Sequence, residues 1–208
     1  MATEVSLAKR KENEERATAY RSRSAAAASS PMRGYRHIKT NTSPNPSRSS
    51  AVNLRMVGCT HRRSPVAVRE RLAFSPTQAV SALEDWRRAY PHTEAVLIST
   101  CNRVELYTAA QNSQNDPPLQ GVIDFLADFH KLPVDEVLDA LFEQSGEHAV
   151  HHLFSVAASL DSMVLGEPQI LSQVKQAYRQ AQESNSAGPL THHAFQAAVR
   201  VEFETQSV

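Results

Sequence analysis

Glycine is scarce in this 208-residue chain, and the six present, Gly34, Gly58, Gly121, Gly146, Gly166 and Gly188, lie far apart. No pair has the spacing of a G-x-G-x-x-G turn or a P-loop, which excludes a recognisable dinucleotide or nucleotide phosphate cradle. Cysteine is scarcer still. Cys59 and Cys101 are the only two, with no C-x-x-C, so a disulfide framework and a thiolate zinc site are both disfavoured and a reducing, cytoplasmic compartment is expected. No apolar run approaches the roughly 18 residues of a membrane span, and the first thirty residues lack the apolar segment of a secretory signal. Net charge is zero, so overall charge neither requires nor excludes a polyanionic partner.

The zero balance hides an asymmetry. Residues 1–52 carry ten Lys/Arg against four Asp/Glu, and the remainder carries twelve against eighteen. The first segment is rich in Ser, Arg, Ala, Asn and Pro and is expected to be a disordered basic extension. Its Glu4, Glu12, Glu14 and Glu15 fit an organelle transit peptide badly, because such peptides avoid acids. Composition over the whole chain, 41% apolar and 21% charged, allows one folded domain in the remainder.

Patterning in that remainder predicts an α+β domain. Leu54 to Cys59 is a partly apolar run closed by the polar Thr60 to Pro65, which implies a strand and a loop. Val66 to Leu72 forms one or two helical turns. Ser75 and Pro76 supply an N-cap and a proline at N1, and Ala79, Leu83, Trp86 and Tyr90 recur at helical spacing. Ala95 to Ser99 is a buried-strand run, and Val104 to Thr108 alternates apolar inward with polar outward, so the two are expected as neighbouring strands joined by Thr100 to Arg103. Leu119, Ile123, Leu126 and His130 mark one face of a helix. Val134 to Phe142 and His148 to Leu160 are further pieces of either type. A helix begins around Leu165 to Pro168 and runs to about Asn185 on Ile170, Val174, Ala177, Tyr178 and Ala181, with a glutamine-rich opposite face. Gly188-Pro189 breaks it, and Leu190 to Val201 begins a last helix.

Cys101 is placed on a tight loop between strands, where a rigid backbone keeps sulfur accessible. Arg103 is positioned to lower its pKa or to clasp a carboxylate through paired hydrogen bonds. From spacing alone, nucleophile and structural thiol both remain open. His130 sits near a helix C-terminus, where the dipole favours its protonated form, and is either an acid-base group or a packed cap. His148, His151, His152, His192 and His193 lack a third well-spaced ligand and are treated as surface residues, with no metal expected.

Three segments in order resemble glutamyl-tRNA reductase: Gly58 to Val66 with Arg69-Glu70-Arg71, then Ser99-Thr100-Cys101-Asn102-Arg103-Val104-Glu105-Leu106-Tyr107, then Leu160 to Leu171 with Gln173-Val174. The resemblance spans about 54 to 200 and is confined to that family's amino-terminal catalytic domain. It implies a small mixed sheet with packed helices, followed by the start of a long helix. Under it Cys101 is the nucleophile that takes glutamate from glutamyl-tRNA as a thioester, which NADPH reduces to glutamate-1-semialdehyde, the entry to tetrapyrrole (porphyrin) synthesis. Thr100, Asn102 and Arg103 surround the glutamyl group, Ser162, Glu167, Pro168, Gln169 and Gln173 complete the pocket, and His130 assists.

The same resemblance implies domains of 1–52, 53–200 and a divergent tail of 201–208, in a chain expected to be a fragment without the NADPH-binding and dimerisation segments. Implied partners are glutamyl-tRNA, a full-length reductase or glutamate-1-semialdehyde aminotransferase. Two rivals stay open beside the reductase: a glutamyl-tRNA thioesterase lacking hydride transfer, and an inactive remnant that binds tRNA or a partner.

Overall fold

A computed structural model describes residues 53–162 and 168–205, the strand Lys39–Asn41, and the helical positions Lys11, Glu14, Glu15, Thr18 and Ser22. The strands are β1 (Lys39–Asn41), β2 (Leu54–Thr60), β3 (Thr93–Ser99), β4 (Arg103–Ala110) and β5 (Phe142–Ser145). The helices are α1 (Val66–Leu72), α2 (Pro76–Ala89), α3 (Leu119–Phe129), α4 (Val134–Val137), α5 (Glu147–Ala157), α6 (Pro168–Glu183) and α7 (Pro189–Thr205), with short 3-10 turns at Ser113–Asn115 and Leu138–Ala140.

The sheet order is β1-β5-β2-β4-β3. Its four main strands pair antiparallel, and β1 adds a parallel edge alongside β5, so the sheet is mixed and the fold is α+β. Within the extension, the short polar strand Lys39–Asn41 pairs along the open edge that β5 offers. Most of the extension lies outside the described residues.

Local sequence explains the elements that the pattern identified. Ser75 Oγ accepts from Gln78 N while Gln78 Oε1 accepts from Ser75 N, a reciprocal capping box that starts α2 with Pro76 at its first turn. Trp86 is fully buried at the centre of the core and meets the Phe125 ring edge-on at 5.0 Å, which joins α2 to α3. Between β2 and β4 the backbones approach closely at Gly58, where an added Cβ would lie 2.1 Å from the Val104 carbonyl oxygen. Only glycine tolerates that approach.

Strand β4 departs from expectation. All eight of its residues are buried, including Arg103 at 1% and Glu105 at 0% exposure. The polar positions do not point to water, because a second layer of helices covers that face as well. Tyr107 packs edge-on against Phe195 of α7 at 5.4 Å, and Glu105 meets His152 of α5. Val104, Leu106 and Thr108 alternate onto the opposite face and are buried as well. A half-solvated strand and a fully covered strand with a charged stripe share the same alternation, so the sequence pattern alone does not separate them.

Helix α6 packs along the edge strand β3, and the turn after it closes that edge. Ala95 N donates to Ser186 O at 2.8 Å, and Ser186 Oγ donates to Ala95 O at 3.0 Å. Glu94 holds the start of α7 by accepting from Thr191 N, Thr191 Oγ1 and Leu190 N. A carboxylate at a helix N-terminus satisfies orphan N–H groups and complements the dipole. Helix α7, the last helix that the pattern begins at Leu190, runs to Thr205. Among the described residues no helix is long and apolar enough to cross a membrane.

Candidate active site on the cysteine hairpin

The β3–β4 connection is built from its own backbone. Thr100 N donates to Arg103 O at 2.8 Å, while Thr100 Oγ1 accepts from both Asn102 N and Arg103 N at 3.2 Å. One threonine hydroxyl thus fixes the turn that carries Cys101. From the neighbouring β2 end, His61 N donates to Asn102 O at 2.8 Å and braces the loop from the side. Cys101 is exposed on this fixed turn, whereas Cys59 is buried and burial pushes its thiol up to about 11. Only the first of the two has access to a substrate.

Arg103 turns inward from the loop. Its Nη1 donates to Glu105 Oε1 at 3.0 Å and Asp161 Oδ2 at 3.1 Å, and its Nη2 donates to the Asp161 carbonyl oxygen at 2.7 Å. Its Nε is buried without a hydrogen-bond partner among the described residues. Glu105 is a hub: it also accepts from Tyr107 Oη at 2.9 Å and meets His152 Nε2 at 2.9 Å. Burial alone would push this carboxyl up, but His152, Arg103 and Tyr107 together hold it down at about 2. Asp161 additionally pairs with Arg62 at 3.2 Å. The expectation that Arg103 stands open for a carboxylate is therefore modified: two protein carboxylates already occupy its fork.

His152 is corrected from a surface residue to a member of this network, half-buried against Glu105 and edge-on to the Phe142 ring at 5.7 Å. His148 and His151 are exposed beside it and line a polar recess with Gln144, Ser155 and Asp161. The sequence offered one usable signal for the network. Arg103, Glu105 and Tyr107 fall at i, i+2 and i+4, one face of one strand.

His130 caps the end of α3 and is boxed by aromatic rings, with Phe74 at 4.4 Å and Phe129 at 5.3 Å. Burial pushes its pKa below the ordinary 6.5, against the opposing pull of a backbone hydrogen bond at Leu72. The ring is thus neutral at physiological pH, which reverses the expectation drawn from the helix dipole because desolvation outweighs it. Its Nε2 is buried with no hydrogen-bond partner among the described residues. Phe74 links this ring to the cysteine hairpin, since Phe74 N donates to Ser99 Oγ at 2.9 Å.

Ser99, Phe74 and Gln173 line one cleft of about 160 Å³ between β3, α2 and α6. Gln173 is therefore brought beside the strand that leads into Cys101. Gln169, one turn earlier on α6, is exposed, and Ser162 is buried next to Asp161. Pro168 opens α6, and Glu167 lies outside the described residues. His61, absent from the expected site, is half-buried beside the loop, its Nδ1 without a hydrogen-bond partner among the described residues. Burial lowers its pKa, and the charges of Arg103, Arg62 and Arg69 add to that against Asp161.

The family model for the N-terminal domain of glutamyl-tRNAGlu reductase matches residues 57–207. A glutamyl-tRNA reductase from Ectopseudomonas mendocina is 46% identical over 141 residues, covering 68% of this chain and 32% of that protein. Another from Rhodopirellula baltica is 44% identical over 159 residues, covering 75% of this chain and 36% of the relative. Among solved structures, glutamyl-tRNA reductase from Methanopyrus kandleri superposes with a TM-score of 0.58 at 28% identity, covering 74% of this chain and 34% of that one. The chain spans about a third of the length of the curated relatives it matches.

Proposed function

Because the chain belongs to the glutamyl-tRNA reductase family and corresponds to its N-terminal domain, we propose that it carries the glutamyl-accepting half of that reaction. The observation that carries the reading is the exposed Cys101 on a hairpin turn fixed by Thr100 and braced by His61. The Cys101 thiolate attacks the ester carbonyl of glutamyl-tRNA. A bond forms from Sγ to the carbonyl carbon, the bond from that carbon to the ribose oxygen breaks, and the departing oxygen takes up a proton to leave free tRNA.

Neutral His130 receives the thiol proton at Nε2 and returns it to the leaving oxygen. By the family resemblance Thr100, Asn102 and Arg103 surround the glutamyl group, and Ser162, Glu167, Pro168, Gln169 and Gln173 are assigned to the same pocket from their sequence positions. Free Cys59 and Cys101 suit a cytoplasmic setting. Glutamyl-tRNA is the partner this reading requires.

Reduction of the thioester to glutamate-1-semialdehyde by NADPH, for tetrapyrrole synthesis, belongs to the reading of the whole protein. The isolated Gly34, Gly58, Gly121, Gly146, Gly166 and Gly188 do not fit a dinucleotide pyrophosphate, so no hydride step is drawn through these residues. Intact-mass spectrometry after mixing the chain with glutamyl-tRNA tests the proposal. A glutamyl mass gain that is absent from Cys101→Ser is expected. No gain on folded protein would sink the reading in favour of an inactive remnant, and free glutamate released without NADPH would mark thioesterase turnover.

A further inference from the structure

Three carboxylates cannot share Arg103 comfortably, and two are already there. Glu105 is fixed, with no exposure and with Tyr107 and His152 on its oxygens. Asp161 differs. Its side chain is 18% exposed, and its second oxygen already lies 3.2 Å from Nε of Arg62, a residue 55% exposed. Its backbone carbonyl holds Arg103 Nη2 at 2.7 Å independently of the side chain. The carboxylate can therefore swing onto Arg62 while the backbone contact, and with it the position of the guanidinium, remains.

We infer that Asp161 is a specificity-determining residue: its carboxylate occupies Arg103 in the absence of substrate and passes to Arg62 when the side-chain carboxylate of a glutamyl group arrives. The inference rests on the proposed function. Arg103 is almost wholly buried yet keeps an unpartnered Nε among the described residues, so its donor set has capacity beyond the contacts present. A substrate carboxylate entering without displacement would meet Glu105 and Asp161 as like charges in a low-dielectric site, which disfavours it. Displacement removes one of those charges to a solvent-facing partner. Acyl groups with a neutral side chain cannot drive the exchange, because they bring no charge to replace Asp161 on the arginine.

The test reads occupancy of Arg103 in two ways, one without tRNA. Alkylation of Cys101 by iodoacetamide is followed with increasing glutarate, a free dicarboxylate, and glutamyl transfer to Cys101 is followed with increasing glutamyl-tRNA. In Asp161→Asn the backbone contact survives and the competing charge is gone. The half-saturating concentration of both ligands is expected to fall about ten-fold. In Arg62→Gln, where Asp161 has lost its alternative partner, half-saturation is expected to rise.

An unchanged or raised constant in Asp161→Asn, or an unchanged or lowered one in Arg62→Gln, overturns the inference, because a structural Asp161 would loosen Arg103 rather than free it. Arg62→Gln decides the matter if Asp161→Asn does not fold. Absence of a glutamyl adduct on the unmodified chain, with glutarate protection intact, would instead fail the proposed function and leave the carboxylate exchange standing.

Discussion

His152 Nε2 lies 2.9 Å from Oε1 of Glu105, a carboxylate with no contact with solvent. The pair joins α5 to the centre of the sheet and completes a charge cluster directly behind the cysteine hairpin. Removing one member of such a cluster leaves the others charged and buried, which costs more than the pair contributes. Glu105→Gln is expected to lower stability at pH 7 by about 3 kcal/mol.

The pH dependence of that loss has a defined sign. Folding depresses the Glu105 carboxyl from its ordinary 4.5 to about 2, so its stabilising effect is full above pH 4.5 and disappears as pH falls toward 2. Urea denaturation of both forms across that window should show the gap between them closing on acidification. Parallel curves would contradict the assignment of a charged Glu105.

The two thiols should separate cleanly by reactivity. Native chain exposed to iodoacetamide at neutral pH is expected to gain one label, on Cys101, and a second on Cys59 only after denaturation. Peptide mapping of the alkylated protein gives the site. Prompt labelling of Cys59 in the folded state would contradict its burial and its raised pKa.

His130→Asn is expected to slow glutamyl transfer to Cys101 by about 10²-fold or more, the usual contribution of a positioned base. In the parent the rate should rise with pH through a value below 6.5 as the imidazolium loses its proton, then level off before neutrality. Single-turnover rates across pH 5 to 8, the span in which a histidine titrates, read both. A rate still climbing through pH 7 would place the titrating group elsewhere.

Thr100→Val keeps the shape of the side chain but removes the acceptor for Asn102 N and Arg103 N. Transfer should fall about ten-fold or more while the melting temperature shifts by only a few degrees, because the two N–H groups are left at a partly exposed turn. Thr100→Ser, which restores the hydroxyl, should recover most of the rate. Equal defects in both variants would remove the hydroxyl from the explanation.

Gly58→Ala tests the packing of the sheet. A methyl group there cannot coexist with the Val104 carbonyl at 2.1 Å, so β2 and β4 must separate. A loss of about 1–3 kcal/mol, the usual cost of overpacking, is expected in thermal or urea unfolding.

What could be read from the chain beforehand divides along the range of the interactions. The cysteine hairpin, the α2 start at Ser75-Pro76 and the glutamine face of α6 are local, and each was legible in spacing and cap residues. Strand β5 was not, because Phe142 to Ser145 holds one large apolar residue and owes its strand form to pairing with β2 more than eighty positions earlier. The same applies to Glu105. Its burial depends on α5 and α7 closing over a face that alternation alone assigns to water. The spacing locates His130 at the end of α3, where it is the C-cap, but not its neutral charge state, since the ring's desolvation comes in part from Phe74, a residue on a different segment.

The separation in sequence between Arg103 and its partners carries a consequence for how the chain assembles. The β3–β4 hairpin closes over a handful of residues, whereas Asp161 lies 58 positions beyond Arg103 and His152 lies 47 beyond Glu105. Short loops close earlier than long ones. During synthesis the reactive cysteine would emerge on a formed turn while Arg103 and Glu105 still face water, and the active-site charge pattern would be set only when α5 docks. Pulse alkylation of a stalled chain that exposes residues up to 130, compared with one that exposes residues up to 200, would show whether Cys101 passes through such an interval, ready in geometry before it is ready in electrostatics.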